Sequence, residues 1–243
     1  MKKIYILILA CFIFLFTKDS YATGFGVGKI NNHERPILPY KDQIEKNKGY
    51  YLGPDEKSVY LTFDCGYENG YTSSILDTLK ENDVKAAFFI TGHYLTSSTD
   101  IVKRMKAEGH VIGNHTYNHK HFTKESTSDM LKDINDLEKK YYNLIESEIS
   151  NFVRPPAGEF SEESLKCLSN NDYKTIFWSL AYVDWYKDKY YGNNYAYNEV
   201  MKKIHNGAII LMHSVSKDNM MDLDKIIKKI KSEGYSFKSL YEL

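Results

Sequence analysis

The sequence predicts an α/β fold built on a parallel sheet, and three observations carry that prediction. From residue 57 onward, short β-rich apolar runs alternate with amphipathic stretches. The amphipathic stretches keep helical period: Leu223, Ile226, Ile227 and Ile230 fall at i, i+3, i+4 and i+7 and are stopped by Gly234. At 243 residues and 42% hydrophobic, the chain carries enough apolar material for one sizeable core. Strand and helix in alternation imply parallel strands with helical crossovers, either doubly wound or closed into a barrel. In both arrangements the chemistry belongs at the C-terminal ends of the strands.

Residues 1–22 stand apart from that globule. Lys2 and Lys3 precede an apolar run from Ile4 to Phe16, and Ser20-Tyr21-Ala22 supplies small residues at a cleavage site, the pattern of a secretory signal peptide. An uncleaved anchor is the alternative reading, and the run is short against the roughly 20 residues of a spanning helix. Residues 23–56 are polar and broken by Gly24, Gly26, Gly28, Pro36, Pro39, Gly53 and Pro54, so an irregular N-terminal extension is expected there. The globular domain is assigned to residues 57–243. Its strand candidates are Val59 to Phe63, Ala86 to Ile90, His110 to Gly113, Phe152 to Arg154, Thr175 to Leu180, Ala208 to Met212 and Tyr235 to Leu240. Met130, Ile134, Leu137, Tyr141 and Ile145 mark a long helix between the third and fourth.

Composition narrows the function. Formal charge cancels, with 32 basic and 32 acidic residues, and loss of the leader removes three basic charges and one acidic one. Neither balance gives the electrostatic footprint of a nucleic-acid binder. Once Cys11 leaves with the leader, Cys65 and Cys167 are too few for a disulfide framework. The 21 tyrosines suit stacking on sugar rings, although a biased genome would give the same count.

Five groups sit at strand ends. Asp64, in Thr62-Phe63-Asp64-Cys65-Gly66, ends the first strand and is placed to point a carboxylate into the mouth of the sheet; a turn-forming role is the competing reading. His115 and His119 follow the third strand at i and i+4, a spacing that on one helical turn would let two neutral imidazoles grip a cation, zinc better than magnesium or calcium. Two solvated loop histidines would give the same spacing. Arg154 leads Arg154-Pro155-Pro156-Ala157-Gly158, a stiffened turn that could hold a guanidinium against a carboxylate or serve only as a turn. Asp184-Trp185 closes the fifth strand region and His213 ends the sixth, where an acid such as Asp184 would keep it protonated for general-acid work. His93, just past the second strand, is the remaining histidine of interest.

These motifs, TFDCG, HTYNH, RPPAG, the DW pair and LMH in that order, resemble the polysaccharide deacetylase family, the NodB-homology domain of carbohydrate esterase family 4, over about Ser58 to Leu240. TFDCGYENGYT, FFITGHYL, FWSLAYVDW and HSVSKDN look most similar to its δ-lactam-biosynthetic de-N-acetylases, which act on muramic acid in spore cortex peptidoglycan. The resemblance implies a distorted (β/α) barrel of seven strands rather than eight. It implies Asp64 as general base oriented by Arg154, His213 as general acid tuned by Asp184, and His115 and His119 as ligands of a divalent metal, zinc by preference. Leu211 and Trp185 would wall the acetyl pocket, and a backbone N–H near Ala157 would help hold the oxyanion.

Two positions depart from the family pattern. Cys65 stands where a second Asp usually completes the metal site, so a thiolate third ligand and a weaker two-histidine site are both open, the latter preferred. Ala157 replaces a frequent aromatic residue and lowers one wall of the cleft. The resulting expectation is an exported, metal-dependent N-deacetylase of peptidoglycan glycan strands, with no nucleic acid and no stable protein partner. A deacetylase of chitin-like glycans and a glycan-binding relative without turnover are the alternatives.

Overall fold

The computed structural model describes residues 23–28 and 33–243, so the leader expected at residues 1–22 lies outside the described residues. The N-terminal extension is more ordered than its glycines and prolines suggest. Thr23–Gly24 forms strand β1, Lys41–Glu45 helix α1 and Gly49–Tyr50 strand β2. Then follow β3 (Ser58–Cys65), α2 (Thr72–Glu81), β4 (Ala87–Ile90), α3 (Gly92–Ser97), α4 (Thr99–Ala107), β5 (Val111–Asn114), α5 (Thr127–Ile145) and β6 (Phe152–Val153). After β7 (Glu159–Phe160) come α6 (Glu162–Asn170), β8 (Lys174–Ile176), α7 (Tyr195–Lys203), β9 (Ala208–His213), α8 (Lys217–Ser232) and β10 (Ser236–Phe237). Each of the seven expected strands is present. The fifth is shorter than expected because the chain leaves regular pairing after Ile176 and meets β9 again only where Leu180 bridges Ile210.

The main sheet is parallel throughout. β3 lies between β9 and β4, and the order continues through β5, β6 and β8 to β2, while β10 pairs with the first residues of β3. The Leu180 to Ile210 bridge brings the far side of this curled sheet back to β9, giving an incomplete α/β barrel. Extending the assigned domain upstream, β2 belongs to the sheet, because the N–H groups of Thr175 and Phe177 donate to the carbonyls of Lys48 and Tyr50 at 3.1 and 2.8 Å. β1 pairs antiparallel with β7, apart from the main sheet.

Period-two alternation divides the core. On β3, Val59, Leu61, Phe63 and Cys65 pack outward with Ile75, Leu76 and Leu79 of α2 and Leu223, Ile226, Ile227 and Ile230 of α8. Tyr60 turns inward to pack with Phe89, Phe152, Ile176 and Ile209. Each such apolar side chain contributes about 1.5–3 kcal/mol on burial. The barrel interior is thus filled by side chains near its N-terminal end, which leaves the opposite mouth to polar residues. The two patterned helices form as expected, α5 capped by Ser126 and α8 by Ser216, each hydroxyl accepting from the N–H three residues on.

Candidate active site

The inward face that carries Tyr60 ends in Thr62 and Asp64 at the mouth. Arg154, fully buried, reaches them from the end of β6: Nη1 donates to Asp64 Oδ1 at 2.8 Å and to Thr62 Oγ1 at 2.9 Å. Nε and Nη2 donate to the carbonyls of Ile176 and Phe177 at 3.0 and 3.1 Å, and Cζ lies over Phe89, 4.1 Å from the ring centre. Burial works against an ionised Asp64, yet the guanidinium of Arg154, together with His213, holds its carboxyl below the usual range. With Oδ1 committed to Arg154, Oδ2 faces His115 Nε2 at 3.5 Å. Thr62, whose hydroxyl also donates to Ile210 O at 2.7 Å, is a brace that sequence reasoning missed.

His115 and His119 do come together, though on a loop and not on the helical turn their spacing suggests. Thr116 and His119 take left-handed backbone conformations, φ 65° and 55°, and the loop is pinned by side chains. Asn114 accepts from Thr116 N at 2.8 Å, Thr116 Oγ1 accepts from His119 N at 3.0 Å, and buried Asp133 of α5 accepts from Asn118. Gly92 permits the close approach of the loop, since a Cβ there would lie 2.5 Å from the Tyr117 ring. His115 Nδ1 donates to Arg154 O at 2.8 Å, so a neutral ring presents a bare Nε2, which stands 3.2 Å from His119 Nε2. Burial lowers both histidines, His119 to about 4, and favours the neutral form of each. Two neutral ring nitrogens converging in this way suit a shared cation.

Cys65 is no part of that pair. The alternation that turns Asp64 into the mouth turns Cys65 into the layer between sheet and helices, where it is fully buried among apolar side chains and burial pushes its thiol well up. Among the described residues, no cluster of three or more His, Cys, Asp or Glu side chains is placed to hold a metal. Register therefore turns Cys65 away from the two histidines, which leaves His115 and His119 as the pair whose ring nitrogens converge at the mouth.

Across the mouth, His213 Nδ1 meets Asp184 Oδ1 at 2.7 Å, and Asp184 Oδ2 accepts from His213 N at 2.8 Å. Burial would lower this imidazole, but the adjacent Asp184 outweighs it and raises the pKa. Asp184 is itself held by Asn219, whose Nδ2 donates to Oδ2 at 2.7 Å and to His213 O at 3.0 Å. The Tyr182 hydroxyl donates to Asn219 Oδ1 at 2.5 Å, completing the chain. Neither Asn219 nor Tyr182 was singled out from the sequence, although both lie in strings that carry the family resemblance.

A cleft of about 960 Å³ joins these groups. Leu211 and Trp185 line it as expected, as do His93 and Ala157, the last in a left-handed conformation at φ 53°. An incomplete α/β barrel that gathers an arginine-held carboxylate, a carboxylate-held imidazole and a pair of neutral imidazoles at one mouth has the base and the acid of a hydrolase. The polysaccharide deacetylase family model matches residues 52–176, and the chain belongs to that family. It is 40% identical to the Bacillus subtilis peptidoglycan-N-acetylmuramic acid deacetylase PdaA over 90% of this chain and 85% of that protein. It is 36% identical to a Bacillus cereus peptidoglycan-N-acetylglucosamine deacetylase, over 81% and 72%. The solved structure of B. subtilis PdaA, a family 4 carbohydrate esterase, superposes with a TM-score of 0.89, covering 92% of this chain and 97% of that one.

Proposed function

We propose that the chain is an exported peptidoglycan de-N-acetylase acting on N-acetylmuramic acid units that lack a stem peptide, the step that precedes muramic δ-lactam in spore cortex. One observation carries the reading: the carboxylate and the imidazole that deacetylation needs are register partners on adjacent strands, in a chain similar over 90% of its length to a muramic acid deacetylase. The leader-like residues 1–22 support export, since the wall lies outside the cytoplasmic membrane.

Asp64, kept ionised by Arg154, takes the proton of the attacking water through Oδ2. His213, kept protonated by Asp184, gives its proton to the leaving amine nitrogen. A divalent ion held by His115 and His119, for which zinc is the best fit to imidazole donors, supplies Lewis acidity to the acetamide carbonyl when bound. Leu211 and Trp185 enclose the acetyl methyl, and a backbone N–H at the Ala157 turn assists the developing oxyanion. The low wall at Ala157 leaves room beside the sugar for a lactyl arm. Only a muramic unit with a free lactyl carboxyl carries both partners of a lactam, because a stem peptide already occupies that carboxyl as an amide.

The test is acetate release, with mass analysis of products, from peptide-free glycan strands and from chitooligosaccharides. Release from the former supports the proposal; release from chitooligosaccharides alone overturns it in favour of a chitin-type substrate.

A further inference from the structure

A free lactyl arm brings a carboxylate into the binding region, and that charge needs a partner when it leaves water. The catalytic cleft offers little. Among the described residues lining it, none is lysine or arginine, and the nearby guanidinium of Arg154 is buried and committed to Asp64.

The cations lie next door. Tyr67 and Trp185, which line the cleft, also line an adjacent lobe of about 640 Å³ together with Tyr186, Lys187, Asp188 and Lys189. Lys187 Nζ is 5.9 Å from the Tyr67 ring centre, and Lys189 Nζ lies 5.5 Å from that of Tyr186 and 4.7 Å from that of Tyr191. Neither lysine makes an ion pair among the described residues, and the two outnumber the lobe's single carboxylate, Asp188. The rings of Trp185 and Tyr186, centres 5.7 Å apart and each about half exposed, present apolar faces to the same space. The segment is held in shape: Asp218 accepts from Tyr191 N and Gly192 N at 3.0 and 2.8 Å, and Asn69 donates to Lys187 O at 3.0 Å.

We infer that this lobe is an anion-selective glycan subsite, in which Lys187 and Lys189 bind a lactyl carboxylate while Trp185 and Tyr186 support the sugar that bears it. The inference rests on the muramic reading above and deepens it. The reacting unit and the next muramic unit along the strand carry the same group, and substrate length separates them.

The experiment compares wild type with the Lys187→Ala/Lys189→Ala double variant on a peptide-free disaccharide holding one muramic unit and a tetrasaccharide holding two. Each substrate is used with its lactyl groups free and as methyl esters. On the free acids KM should rise about tenfold with kcat within about twofold, and the difference should shrink at high salt. The esters should show no such rise, and Lys187→Arg/Lys189→Arg should restore KM. A rise already present on the disaccharide assigns the carboxylate to the reacting unit; a rise on the tetrasaccharide alone assigns it to the neighbour. Equal KM values for variant and wild type on all four substrates, or the same rise on esters as on acids, overturn the inference while leaving the muramic reading intact. Wild type inactive on every muramic substrate yet active on chitooligosaccharides overturns the muramic reading itself, and the subsite falls with it.

Discussion

Asp64 and His213 stand opposite each other as register partners on β3 and β9, both on the face of the sheet that opens into the cleft. Their partners push them in opposite directions, Arg154 helping to hold the carboxylate ionised and Asp184 holding the imidazole protonated. Activity needs both charged forms, so it should fail as pH falls through the lowered Asp64 pKa and as pH rises through the raised His213 pKa. Asp184→Asn removes the cause of the second shift. The basic limb of kcat/KM should therefore move to lower pH while the acidic limb stays. His213→Ala should lower kcat by roughly 10² to 10⁴ and abolish that limb; an unchanged basic limb would assign the acid to another group.

Asp64→Asn should reduce kcat by about 10² to 10⁴, because an amide cannot take the proton. It keeps an acceptor for Arg154 but not the countercharge, and Arg154 is fully buried. Loss of one partner of a buried pair costs about 3–5 kcal/mol when nothing replaces it. Thermal unfolding should therefore rank wild type above Asp64→Asn and Asp64→Asn above Asp64→Ala. Near-normal turnover in the Asn variant would remove Asp64 from the mechanism.

For the metal, His115→Ala and His119→Ala should each abolish specific binding, while Cys65→Ser should bind with wild-type affinity in a zinc titration. The serine variant should still lose about 1–3 kcal/mol of stability, since a hydroxyl replaces a thiol packed among apolar side chains. With two protein nitrogens at the site, mild chelation should strip the metal and added zinc should restore activity. Weaker binding in Cys65→Ser without a matching loss of stability would return the thiol to the site.

The strand ends were legible because an apolar run followed by a polar residue is a local pattern, and parallel topology carries every such end to one mouth. The faces were not. Whether Asp64 or Cys65 points inward depends on which side of β3 the helices cover, and that follows from the packing of α2 and α8. The histidine spacing suits a helical turn, but the fold satisfies it with two left-handed residues braced by Asn114, Thr116 and Asp133. β2 escaped notice because two residues give no periodicity; Gly49–Tyr50 is a strand through its bonds to Thr175 and Phe177. Asn219, in the first turn of α8, reads as an ordinary polar residue near a helix start until the fold sets it against Asp184.

That last contact gives a prediction of its own. Asn219 is fully buried, accepts from Tyr182 and donates to both Asp184 and the His213 carbonyl, so its amide fixes the carboxylate that fixes the imidazole. Hydrogen bonds to charged groups contribute about 1.5–3 kcal/mol, and Asn219→Ala removes one of these and strands the Tyr182 hydroxyl. Asp184 would keep its bonds from His213 but lose the brace on Oδ2 that sets its angle. In Asn219→Ala, kcat should fall about tenfold with KM nearly unchanged, because the loss concerns orientation of the acid and not the grip on the sugar. Tyr182→Phe, which removes only the outer bond, should fall by less. Steady-state kinetics on one muramic substrate decide it: a rise in KM at constant kcat would place Asn219 in substrate binding instead.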